Sequence, residues 1–423
     1  MQGPYPWPSS QDIRLAHQIV EAGLPLHIAV RDHVITGSKG RSSMRSMGCF
    51  SSRRHCGGGG GSYMERVSRI SKHWTWAAPL LAWLMILLGF GTSIPAILLA
   101  AVLVGAVLAA VHHAELIAHR VGEPFGTFVL AVAVTVIELG LIVALMSAAG
   151  ESAETLARDT VFAAVMIILN GLVGICIFLG ALRHKEQIFQ QTGVSASLAT
   201  LCALTVLTLI LPNFTVSEPG PVYSFSQLGF VAVVSFLLYA TFVAVQTVRH
   251  RDYFLPDKAV AADHDSHAEP PSVQRAWLSA ALLLACLGAV VLLAKSLATP
   301  VESAVAGVGA PRALVGVIIA ALVLLPESIA AVRATLANRL QTSLNLGLGS
   351  ALATIGLTIP AVAALAIIAD MPIALGLDSK SAVLLFLTLI VSTLTLGTGK
   401  TTILQGAVHL VIFAVYLFTT IVP

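Results

Sequence analysis

The stretch VTVIELGLIVALM, Val134 to Met146, carries one carboxylate, Glu138, in a run that is otherwise almost wholly apolar; the nearest other charges are Glu123 and Glu151. A run of this kind is either a helix in the core of a large soluble protein or a helix in a membrane, and the rest of the chain decides between them. Of 423 residues, 57% are hydrophobic and only 11% charged, against about 25% charged in soluble domains. The mean hydropathy is +0.88. Runs of the roughly 20 apolar residues that cross a hydrocarbon core recur from Trp76 to Val422. Ten-residue segments of alternating polarity, the mark of a membrane β-barrel, are not seen. The fold class is therefore an all-α polytopic membrane protein.

Residues 1–63 differ in kind. They are polar and rich in Ser and Arg, end in CGGGGG at 56–61, and hold no apolar stretch long enough for a signal peptide. Disorder is expected there, or an over-extended reading frame whose true start is Met64. Beyond Met64, eleven spans are expected to begin near residues 76, 95, 125, 160, 195, 226, 276, 313, 342, 379 and 402. With the spans alternating, thirteen Lys and Arg residues fall on one side and only Arg158, Lys295, Arg312 and Lys380 on the other. The positive-inside rule then places the N-terminus in the cytoplasm and the C-terminus outside. The five cysteines show neither metal nor disulfide spacing, and Cys176, Cys202 and Cys286 read as core packing.

The longest polar interruption, residues 249–275, separates one leading helix and five spans (64–248) from five more (276–423). It reads as a cytoplasmic linker, and its DHDSHAE at 263–269 as part of a mobile connection. An internal repeat is suggested by NGLVG at Asn170 against NLGLG at Asn345, each one span beyond a lone carboxylate: Glu138, and Glu327 in VLLPESIAAVRAT. An offset of five helices is odd, so the second copy is inverted relative to the first.

A carboxylate at a helix centre costs at least about 2.5 to 3.5 kcal/mol on insertion scales, so it persists only beside partners, water or an ion. Glu138 and Asn170 are expected to face each other about 15 Å from the turn between their helices; Glu327 and Asn345 match more loosely. One reading makes each glutamate a protonated hydrogen-bond lock against its asparagine. The other makes the four residues ligands of a transported cation, and the paired, repeat-related placement favours it. Pro326 removes the helical hydrogen bond to the Leu322 carbonyl and kinks its span, freeing that carbonyl as a further ligand. The first copy has Ile137 there, with Gly140 its only helix weakener, so unequal copies are expected. Carboxylates, amides and carbonyls are hard donors suited to Ca²⁺ or Na⁺, and no His or Cys adjoins either glutamate to suggest zinc.

The pieces AELIAHRVGEPFGT, AVTVIE, LVLLPESIAAVRATLANRLQTSLNLGLGSALATIGLTIP and LQGAVHLVIF resemble the bacterial ChaA-type calcium or sodium/proton antiporters of the cation/Ca²⁺ exchanger superfamily. The similarity runs from Met64 to Pro423 and is densest from Pro326 to Pro360. It implies an eleven-helix exchanger in which Glu138 and Glu327 alternate between cation (Ca²⁺, or Na⁺ or K⁺) and proton. The broader superfamily often has Asn three residues before the first glutamate, and Asn-Ala before and His after the second. Here those places hold Thr135, Leu324 and Ser328.

Other features fit around this reading. GTGKTT at 397–402 lacks the earlier glycine of a phosphate-binding loop, since Leu394 stands in its place. His409, buried in the last span, is either a functional group or packs with Gln405 one turn away. Glu115 and Glu123, with His112, His113 and His119, are either a solvated loop or a funnel for cations. A passive channel would want a continuous polar lining, and a membrane hydrolase a nucleophile with a base at evident spacing; neither is present. Nothing points to nucleic acid or to a bound cofactor.

Overall fold

The computed structural model describes residues 34–37, 40–43, 61–87, 95–122, 125–149, 154–254, 271–307, 309–311 and 313–422. Glu123 and the DHDSHAE segment lie outside the described residues. The chain divides into Met1–Ser71 and Lys72–Pro423. In the first unit two short strands, β1 (Val34–Gly37) and β2 (Gly40–Ser43), pair antiparallel; the rest of the segment for which disorder is expected is undescribed up to Gly61.

From Gly61 onward the described residues are mostly helical, and the longer helices are numbered in chain order. They are α1 (Gly61–Leu87), α2 (Ala96–Val121) and α3 (Phe125–Ala149); α4 (Leu156–His184), α5 (Gln191–Phe214), α6 (Phe225–Arg249) and α7 (Val273–Gly307); α8 (Ala313–Val323 with Leu325–Leu336); and α9 (Leu340–Ala369), α10 (Ser379–Leu396) and α11 (Ile403–Ile421). Among the described residues, eight are long and apolar enough to cross a membrane, and the bent pair α8 makes a ninth. In α1 and α3 the qualifying apolar stretches are shorter, Trp74–Leu87 and Val132–Ala144. Helices suit these runs because a bilayer offers no water to backbone groups, which must then be satisfied within the segment. Ends are set locally. Capping boxes start α6 (Ser224 with Gln227) and α11 (Thr402 with Gln405), and Asp378 caps α10 through Ser381 N.

Helices α2–α6 and α7–α11 form two copies with matching partners. The first helices of the copies, α2 and α7, pack together. The second helix of each copy packs on the third helix of the other: α3 on the later part of α9, and the first half of α8 on the start of α4. The fifth helix does likewise, α6 on α9 and α11 on α4. This reciprocity is the contact pattern of a pseudo-two-fold repeat, and it sets α4 and α9 at the centre, where they are the most buried spans.

The copies differ as Pro326 implies. Helix α3 runs unbroken through Gly140, whereas α8 bends by 55° at Leu324. At the end that carries the linker, strand β3 (Gln187–Ile188) pairs antiparallel with β4 (Lys400–Thr401). The GTGKTT segment is thus a turn into a short strand, with Gly399 at φ +72°.

Candidate cation site

Glu138 lies halfway along α3, about 20 Å from Phe125, and is 4% exposed. Its Oε2 accepts from Thr354 Oγ1 at 3.0 Å and from Thr358 Oγ1 at 3.2 Å. Both threonines stand on a π-helical turn of α9, Thr354–Thr358, one turn apart and facing α3. The expected partner, Asn170, is engaged elsewhere. It sits in the matching π turn of α4, Ile167–Leu172, with no exposed surface. Its Nδ2 donates to Thr388 Oγ1 in α10 at 2.9 Å, and its Oδ1 faces His409 Nδ1 in α11 at 3.3 Å. A π turn inserts one residue into the helix and rotates the turns beyond it, a device common at functional sites.

Glu327 stands in the first turn after the break in α8. It is half-buried, its Oε2 is buried without a hydrogen-bond partner, and it lies within electrostatic range of Glu138 and of Glu115 on α2. Leu324 N bonds Ala320 O, and Ser328 N bonds Leu324 O. Pro326 has no N–H for Leu322 O, so that carbonyl loses its helical donor at the bend. Ser328 is half-buried beside Glu327, and Thr135 is buried one turn before Glu138.

Asn345 departs from its expected role. Only five residues into α9, it accepts from Gln341 Nε2 at 2.9 Å and donates to the carbonyl of Phe254, the last described residue before 255–270. Gln341 in turn accepts from Gln190 N. The side chain belongs to a polar network at the linker end, shallower than the glutamates. The residue of α9 that corresponds in depth to Asn170 is Thr354: each lies fourteen residues after its helix starts, at Leu156 and Leu340, in or at the edge of a π turn. Counting from the helix starts finds this correspondence; the Asn-x-x-x-Gly match hides it. His409 differs too, since Gln405 is taken up in the α11 cap and the histidine's partner is Asn170.

The arrangement supplies two carboxylates, one from each copy: Glu138 buried and held by two hydroxyls, and Glu327 half-buried with its Oε2 buried and unpartnered. Such hard, neutral-plus-anionic oxygen sets suit alkali and alkaline-earth cations. Among the described residues, no three His, Cys, Asp or Glu side chains converge as a metal-holding group.

Fold and site together define a membrane cation exchanger of secondary-transport type. The family model described as sodium/calcium exchanger protein matches residues 83–248 and 278–422, and the chain belongs to that family. A second model, the RadC-like JAB domain, matches residues 4–49 alone. A putative ionic transporter, y4hA of Sinorhizobium fredii, is 49% identical over 356 residues, 83% of this chain and 96% of its own. The sodium-potassium/proton antiporter ChaA of Escherichia coli K12 is 33% identical over 362 residues, 84% of this chain and 98% of its own. Of solved structures, native YfkE superposes with a TM-score of 0.63 at 17% identity, covering 83% of this chain and 99% of that one. The H⁺/Ca²⁺ exchanger CAX gives 0.61 at 15%, covering 82% and 88%. These two likenesses show the shared fold.

Proposed function

We propose that the protein is an antiporter that exchanges Ca²⁺, Na⁺ or K⁺ for protons across the inner membrane by alternating access, with Glu138 and Glu327 holding either the cation or the proton. The observation that carries this is a pair of carboxylates from opposite copies within electrostatic range of each other, Glu138 buried against two hydroxyls and Glu327 half-buried with an unpartnered, buried Oε2. Two like charges at the bilayer midplane cannot both persist without a counter-ion. An empty site therefore takes up protons, and an arriving cation displaces them. Asn170, Thr354, Thr358 and the Leu322 carbonyl complete the ligand set, and the break at Pro326 gives α8 a hinge beside Glu327. Rocking of one group of helices against the other would expose the site to each side in turn. Coupling to protons is also the activity named for ChaA and for CAX.

The test is flux in everted vesicles with a fluorescent Ca²⁺ or Na⁺ indicator and an imposed pH gradient. Exchange should reverse when the gradient is reversed, and Glu138→Gln or Glu327→Gln should abolish it at unchanged membrane expression. Gradient-driven flux surviving in both variants would remove the two-glutamate site.

A further inference from the structure

The carboxamide of Asn170 is gripped from both sides by the other copy. Its Nδ2 donates to Thr388 Oγ1, and Thr388 gives its own proton to Leu384 O at 2.7 Å. The threonine can therefore only accept from the amide, which fixes the carboxamide with Oδ1 toward His409. An amide oxygen 3.3 Å from His409 Nδ1 favours the proton on that nitrogen, and the Leu169 carbonyl, which also bonds the ring, is a second acceptor for the histidine. His409 is then the Nδ1–H tautomer, fully buried, with Nε2 a bare acceptor lacking any partner. The histidine is held there by backbone proximity: a Cβ on Gly174 would lie 2.9 Å from His409 Cβ, and one on Gly406 would lie 2.5 Å from Phe178 N. Small residues thus bring α4 and α11 close enough for the bond to form.

We propose that His409 is a positioning residue for cation binding: by occupying one of the two lone pairs of Asn170 Oδ1, it aims the remaining one and sets how strongly that oxygen serves a cation. This rests on the reading of Asn170 as a ligand. Thr388 is the second clamp. Neither clamp touches the cation; both lie on α10 and α11 while Asn170 lies on α4, so the ligand of one copy is oriented by the helices of the other. Among the neighbours of Asn170, Met166 Sδ adds only a weak acceptor at 3.8 Å.

The experiment measures cation-dependent exchange in vesicles for His409→Leu, His409→Asn, Thr388→Val and Asn170→Ala. Leucine keeps bulk and removes the donor, whereas asparagine places an amide N–H near the position of Nδ1. His409→Leu and Thr388→Val should raise the apparent KM for the cation about three- to tenfold, the scale of one lost hydrogen bond, with maximal rate within about twofold. They should also change the ratio of KM values between Ca²⁺ and Na⁺, and His409→Asn should restore both. A purely structural role would lower maximal rate and expression together without moving that ratio. If KM and ratio stay at wild type in His409→Leu while Asn170→Ala alters them, the positioning role is overturned and the site stands. If Asn170→Ala changes neither, the ligand reading falls and this proposal with it. Should the leucine variant fail to insert, a wild-type KM in Thr388→Val overturns the proposal.

Discussion

Thr354 of the second copy donates a hydrogen bond to Glu138 of the first, 3.0 Å from hydroxyl to carboxylate, and Thr358 adds another to the same oxygen at 3.2 Å. The carboxylate is thus solvated by the opposite copy. A hydrogen bond to a charged group contributes about 1.5–3 kcal/mol. Thr354→Val or Thr358→Val, each keeping shape, should weaken apparent cation affinity by about tenfold, and the double variant by more. Concentration dependence of exchange in vesicles is the measurement. A double valine variant with wild-type affinity would show that the hydroxyls serve only packing.

The two asparagines should behave differently. Asn345 accepts from Gln341 on its own helix and ties α9 to the Phe254 carbonyl at the mouth of the linker. Asn345→Ala should leave cation affinity within about twofold, because its bonds lie with the linker and not with a glutamate, but should loosen 250–254. Faster proteolytic cleavage near the linker in the alanine variant, compared with wild type, is the expected outcome. A large rise in KM with unchanged cleavage would return Asn345 to the ligand set.

Much of this was legible in the sequence, for identifiable reasons. A charge in an apolar run has few neutral explanations, so Glu138 and Glu327 stand out. Pro326 announces its own bend, since proline lacks the required N–H. Thr354 and Thr358 could not be read, because a threonine in an apolar helix commonly bonds its own preceding turn. Thr205, Thr208 and Thr388 do so here. The π turns were equally hidden, having no residue signature, and they displace the register on which the Asn345 alignment relied. His409 was visible as an oddity, but its partner lies 239 residues away, beyond any local pattern.

Charge predicts the sidedness. Thirteen Lys and Arg residues against four argue that the end bearing the linker faces the cytoplasm and that the chain ends outside. A reporter active only in the cytoplasm, fused after Pro423, should be silent, and the same reporter inserted in 255–270 active. Strong activity at the C-terminus would mean an even number of crossings and would undo the inverted relation of the copies.

The bend in α8 should matter for turnover more than for binding. Between Val323 and Leu325 the axis turns by 55°, and Pro326 has no N–H to give the Leu322 carbonyl its usual helical bond. Replacing Pro326 by alanine restores that donor and permits a straighter, better bonded helix. The folded protein should gain thermal stability while the Leu322 carbonyl is withdrawn and Glu327, next to the hinge, is re-aimed. Exchange should therefore fall by about tenfold or more in maximal rate with expression intact, since a broken helix in a transporter supplies both a ligand and a pivot. Thermal unfolding in detergent and vesicle flux, measured on the same preparation, separate the two effects. Full activity in Pro326→Ala would mean that the bend is set by the packing of α8 against α4, and that the free carbonyl plays no part in holding the cation.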